Sequence, residues 1–182
     1  AAGGADLVFG CDLVVSGSAK VLAAIRPGET GVVINNAETY PGDFTRDPDF
    51  TLPVATVKQA IEKAAGGRAA FCDATTLATA LVGTSVAANI FLVGFAWQRG
   101  LLPLSEEALL RAIEIVGESV AMNKRAFLWG RREAAAHERV ATLLRPSVER
   151  NSSRFISTSF AELFARRQTF LAAYQNAAYA ET

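Results

Sequence analysis

Three short stretches of this 182-residue chain are apolar on both faces: residues 6–15, 31–35 and 68–73. A strand covered by helices on both sides has that pattern, whereas a half-exposed strand alternates. Between them, residues 18–25 and 54–65 carry apolar positions at helical spacing. The pattern therefore predicts strand Asp6 to Val15, helix Ser18 to Ile25, strand Gly31 to Asn35, helix Val54 to Ala65 and strand Arg68 to Asp73. Such alternation indicates an α/β fold, here a three-layer α/β/α arrangement with a parallel or mixed sheet. From Asn89 onward no strand pattern occurs, so a mostly helical C-terminal part is expected. We divide the chain into an α/β domain, residues 1–146, and a linker with a helical extension, residues 147–182. Asn151-Ser152-Ser153 is the best linker candidate.

Residues 83–132 hold three helical patterns. Thr84 or Ser85 is placed to cap the first, and from Val86 to Trp97 the only strongly polar residue is Asn89. That composition predicts a helix buried nearly all round. Crossing a bilayer takes about 20 apolar residues, more than this run supplies before Gln98 and Arg99. Ser105 caps the second helix, with Glu106 and Glu107 in its first turn, where the helix dipole favours them. Leu109, Ile113 and Val116 share one face of it, while Glu107 and Arg111 stand at i,i+4 spacing for an ion pair. Gly117 ends it. The third helix, from Ser119 to His137 or beyond, sets Met122, Ala126 and Trp129 on one stripe and presents a basic outer face.

Charge changes this picture little. The net charge is zero, but residues 123–182 hold ten Lys and Arg against five Asp and Glu. Acidic residues interrupt those cations and no groove-reading motif accompanies them, so an acidic partner domain or a solvated face is expected, and no nucleic acid. Cys11 and Cys72 stand alone, without the spacing of a zinc or iron-sulfur site, and His137, the single histidine, reads as exposed on a polar helix. No G-x-G-x-x-G or P-loop occurs, and Gly42-Asp43 lacks the continuation of a thiamine diphosphate motif. No cofactor is assigned to this chain, nor any catalytic or metal residue. No basic n-region precedes an apolar run at the N-terminus, and a cytoplasmic location is expected.

Ligands of open α/β sheets collect at the C-terminal ends of strands. Three segments fall there: Ser16-Gly17-Ser18, Asn35-Asn36, and Asp73 to Thr76, in which Thr75 and Thr76 can cap the next helix or meet a ligand. Pro41 to Pro48 is a turn-rich excursion. Ser85 opens the first helix of the 83–132 stretch. Asn89, flanked at helical spacing by Leu92, Val93 and Ala96, is expected to be a buried amide that must find partners. Asn123, Lys124 and Arg125 are the candidate docking residues. The cleft and interface candidates are thus Ser16, Asn35, Asp73, Thr75, Ser85, Asn89, Asn123, Lys124 and Arg125.

Gly83, Ser85, Ala87 and Asn89, then Trp97 to Ser105 (WQRGLLPLS) and Asn123 to Arg131 (NKRAFLWGR), together resemble the gamma domain of the 2-oxoacid:ferredoxin oxidoreductases, above all the version fused into indolepyruvate ferredoxin oxidoreductase. Residues 5–35, Pro41 to Phe50 and Phe170 to Thr182 resemble that family as well. The resemblance implies a supporting domain of an enzyme that oxidises aryl 2-oxoacids to acyl-CoA with thiamine diphosphate and Mg, iron-sulfur clusters and CoA. Its implied partners are the thiamine- and cluster-binding domains and, through them, ferredoxin. The family's opening strand and Gly-rich turn have no counterpart here, so the chain is expected to be a piece of a longer polypeptide. A truncated α/β domain exposes sheet or helix surface, which predicts homo-oligomers. Competing expectations are a stand-alone nucleotide- or CoA-binding or assembly module, and a helical adaptor built on the C-terminal third.

Overall fold

A computed structural model describes residues 2–38, 53–144, 157, 159–174 and 176. The turn-rich segment 41–48 and the linker candidate 151–153 lie outside them. The chain forms two compact units, Ala1–Leu144 and Arg145–Thr182.

The first unit is built on a three-stranded sheet in the order β1 (Leu7–Gly10), β2 (Gly31–Asn35), β3 (Ala69–Cys72), with both neighbouring pairs parallel. Of the two arrangements expected, the sheet is the parallel one. The register sets Leu7 opposite Gly31 and Val33 opposite Ala70. Since side chains alternate across a strand, Val33, Ala70 and Cys72 face one layer, made by α4 (Ala74–Val82), α5 (Ala88–Gln98) and α7 (Val120–Leu144). Val32 and Ile34 face the other, which α1 (Leu13–Ser16) and α3 (Val54–Ala65) close through Leu13, Ile61 and Ala65. A short helix, α2 (Ala19–Leu22), borders that layer. This is the expected three-layer α/β/α fold.

One predicted element is wrong. The strand expected over Asp6 to Val15 stops at Gly10, and Leu13 to Ser16 form a helical turn. Asp12 causes the switch: its carboxylate accepts from the Val15 N–H at 2.8 Å, offering the backbone a cap in place of a ladder.

The helical half is organised by a close crossing of α5 and α7. A Cβ placed on Gly94 would sit 2.0 Å from the carbonyl oxygen of Phe127, and one on Gly130 would sit 1.8 Å from that of Phe91. The two backbones touch, with Phe91 and Phe127 fully buried beside the contact. At the end of α5 the Trp97 indole N–H donates to the Leu104 carbonyl at 2.7 Å, which folds the 97–105 connector back on itself. Arg131 lies over the Trp97 ring at 4.6 Å, donates to Gln98 and pairs with Glu106, so α7 clamps both ends of the connector.

The helix α6 (Glu106–Val116) begins as expected, with Ser105 accepting from the Ala108 N–H, and ends at Gly117, whose φ of 78° suits glycine. The predicted Glu107–Arg111 pair does not form. Arg111 turns to Glu114 at 2.9 Å, and Lys124 reaches the same carboxylate at 2.6 Å from α7. A shared carboxylate between two cations joins the helices, which a lone i,i+4 pair would not do.

In the second unit, α8 (Phe160–Tyr174) starts at Ser159, whose hydroxyl accepts from the Glu162 N–H at 3.2 Å, and leaves Phe160, Phe164 and Phe170 exposed. No helix among the described residues is long and apolar enough to cross a membrane.

Candidate functional site

The C-terminal ends of the strands are tied together by one side chain. Asn35, 6% exposed, donates its amide N–H groups to the Cys11 carbonyl at 3.3 Å and to the Thr75 hydroxyl at 2.9 Å. Its oxygen accepts from the Ala74 N–H at 3.1 Å and the Ala37 N–H at 3.2 Å. One amide thus links the segment after β1, the end of β2 and the start of α4, with both donors and both lone pairs used. Asp73 caps α4 by accepting from the Thr76 N–H at 2.9 Å. Thr75 is therefore no cap: its hydroxyl belongs to Asn35.

Beside this knot, a cleft of about 550 Å³ opens between the ends of β2 and β3 and the middle of α7, with Asn36, Cys72, Asp73, Arg99, Glu133 and His137 on its walls. Glu133 is only 6% exposed. One of its carboxylate oxygens meets the imidazole Nδ1 of His137, while Oε2 is closed to solvent and has no hydrogen-bond partner among the described residues. Asn36 Oδ1 is in the same condition. Burial, reinforced by the negative charges of Glu133 and Asp73, pushes the Cys72 thiol up to about 12. Cys72 is thereby an inert thiol rather than a nucleophile.

Residues 1–133, through the buried Glu133, match the family described as pyruvate ferredoxin/flavodoxin oxidoreductase. The chain belongs to that family. No curated protein and no solved structure matches it.

Within this oxidoreductase domain the residues singled out from sequence separate into groups. Asp73 lines the cleft, and Asn35 and Thr75 buttress it from behind. Ser16, 4% exposed, lies in α1, where its hydroxyl donates to the Asp12 carbonyl against Gly10. Ser85 is exposed in a short 3₁₀ turn, Ser85–Ala87, that Thr84 caps by accepting from the Val86 N–H. Asn89 is exposed, which overturns the expectation of a buried amide: it turns outward on α5, as does Val86, 79% exposed, in the turn just before it. The buried amide with a full set of partners is Asn35 instead.

The expected docking residues are spent inside the oxidoreductase domain. Asn123 donates to the Glu118 carbonyl at 2.9 Å, Lys124 pairs with Glu114, and Arg125 donates to the Val82 carbonyl at 3.0 Å at the C-terminus of α4. These residues hold α7 against its neighbours, and the basic outer face predicted for it is largely consumed.

The residues missed from sequence are Glu133 and Arg99. Glu133 continues the buried stripe Ala126, Phe127, Gly130 at helical spacing, a signal masked by the charged residues around it. His137 is exposed as expected, yet the Glu133 carboxylate raises its pKa, first through their hydrogen bond and then through charge. A raised folded-state value means the stabilising contribution is complete below the unfolded value of about 6.5 and lost as pH rises through the folded one. His137→Ala should therefore lower the urea midpoint more at pH 5.5 than at pH 9. The effect is small, because the His137 side chain is 71% exposed.

Proposed function

We propose that this chain is the gamma-type supporting domain of an indolepyruvate ferredoxin oxidoreductase. In that enzyme an aryl 2-oxoacid is oxidatively decarboxylated to its acyl-CoA with ferredoxin as electron acceptor. The support is the family match over residues 1–133 together with the WQRGLLPLS and NKRAFLWGR segments, which resemble the fused indolepyruvate enzymes. Those two segments meet where Arg131 lies on Trp97 and donates to Gln98, so the resemblance falls on residues that make one packed body.

On this reading thiamine diphosphate, its Mg ion, the iron-sulfur clusters and the CoA site reside on neighbouring domains, in the cytoplasm, and the domain described here walls the active-site cavity. The donor chemistry agrees for the clusters. A cluster takes thiolates, usually four, and the chain has two cysteines, one of them the Cys72 thiol held protonated by burial and by its acidic neighbours. We derive no step through these groups. Assembly into homo-oligomers belongs to the same proposal, with the exposed Val86, Ile115 and Val116 as apolar surface to be covered.

Reconstitution tests the proposal. The chain joined with the thiamine- and cluster-binding polypeptides encoded beside it should reduce a viologen dye with indolepyruvate faster than with pyruvate, while the chain alone should show no turnover. Preference for pyruvate would move the substrate assignment, and turnover by the chain alone would end the supporting-domain reading.

A further inference from the structure

The cleft between the strand ends and α7 has a chemistry of its own, independent of the proposed reaction. Its two solvent-closed polar atoms, Glu133 Oε2 and Asn36 Oδ1, are both acceptors, and neither has a donor among the described residues. Asp73 adds a second carboxylate to the same walls. An amide can rotate to present either end, whereas a carboxylate cannot, so Glu133 fixes the sign of what the site needs. Arg99, exposed and on the same walls, rests over the Phe95 ring at 5.6 Å and has no ion pair among the described residues. Phe71, Leu77 and Phe95 add apolar wall to the same cleft.

We propose that this cleft binds a free α-amino acid with an apolar side chain. Its ammonium group meets Glu133 and Asn36, its carboxylate meets Arg99, and its side chain lies along Phe71, Leu77 and Phe95. The terminal torsion of a glutamate is soft, so a modest rotation turns the unpartnered oxygen toward the cleft. An ammonium brings three donors to the two unfilled acceptors, Glu133 Oε2 and Asn36 Oδ1, and the charge-assisted bond it forms with the carboxylate is of the strong kind. The volume of about 550 Å³ lies within the range of small-molecule sites. A 2-oxoacid with the same side chain fails here, because its keto oxygen has no donor to offer the unpartnered Glu133 oxygen. The site therefore discriminates between an amino acid and its keto analogue.

Calorimetric titration of the full chain with L-phenylalanine, phenethylamine and phenylpyruvate tests this. L-phenylalanine should bind, phenethylamine about tenfold more weakly for want of the Arg99 contact, and phenylpyruvate not measurably. Glu133→Gln should weaken L-phenylalanine at least tenfold, and Arg99→Met should bring L-phenylalanine down to the affinity of the amine. Arg99 is exposed, so its variant keeps the test valid if the glutamine variant fails to fold. Equal binding of L-phenylalanine and phenylpyruvate, no binding of either, or unchanged affinity in both variants would each overturn the proposal.

Discussion

Gly130→Ala should cost the first unit about 3 kcal/mol, the upper end of what overpacking a core costs, and should lower its urea midpoint accordingly. The added carbon has nowhere to go: it would lie 1.8 Å from the Phe91 carbonyl oxygen and 2.9 Å from the Phe95 backbone nitrogen. Gly94→Ala meets the mirror-image obstacle at the Phe127 carbonyl. A clash with a flexible side chain relaxes by a change of rotamer, but backbone in the middle of a packed helix moves only if the helix moves. Truncating Phe91 or Phe127 therefore gives no rescue, since their carbonyl oxygens rather than their rings obstruct. Alanine ordinarily favours a helix over glycine by about 1 kcal/mol. A stabilised Gly130→Ala chain would mean that α5 and α7 do not touch as described.

Asn35→Ala should cost about 4 kcal/mol, read as a lowered urea midpoint. Four hydrogen bonds vanish with the amide, each contributing about 1 kcal/mol net, and the buried Ala74 N–H is left without its partner. Asn35→Asp is the sharper version because its size is unchanged. An ionised aspartate sets oxygen against the Cys11 carbonyl, so that variant should gain stability on acidification, as protonation restores one donor. If Asn35→Ala melted like the parent chain, the three-way tie among the strand ends would carry no weight. The cleft should loosen with it, since Asp73 and Asn36 hang from the same segments.

Where apolar runs were bounded by glycine or proline, the elements were legible from the sequence. Gly31 to Asn35 and Val54 to Ala65 fall where their patterns end, and Ser105 and Gly117 bracket α6 through their own side-chain and backbone chemistry. Misreadings arose where a local polar contact overrode a pattern or where tertiary packing chose a face. Leu13-Val14-Val15 looks like strand, and only the Asp12 cap makes it a turn. In α5 nearly every residue is apolar, so the pattern could not say which side faces out; the crossing with α7 decides it, and Asn89 stands on the outer side. At the site, Asn35 and Asp73 were readable because strand ends are readable. Glu133 was obscured by its charged neighbours Arg131, Arg132 and Glu138, which reach solvent or other partners while it turns inward. Arg99 was obscured because a cation after a helix reads as solvated surface.

The strand order in this sheet follows the order along the chain, β1 to β2 to β3, with no reversal. In open parallel sheets the natural crevice forms where successive connections depart to opposite sides, at a reversal of strand order. Strands laid down in sequence provide no such parting among the described residues. The hollow here is made differently: the strand ends form one bank, and a helix some sixty residues further along the chain supplies the other, bringing Glu133 across to face Asp73. Its width is consequently a helix-to-sheet distance, so that sliding or tilting α7 would open or shut the hollow without breaking a strand.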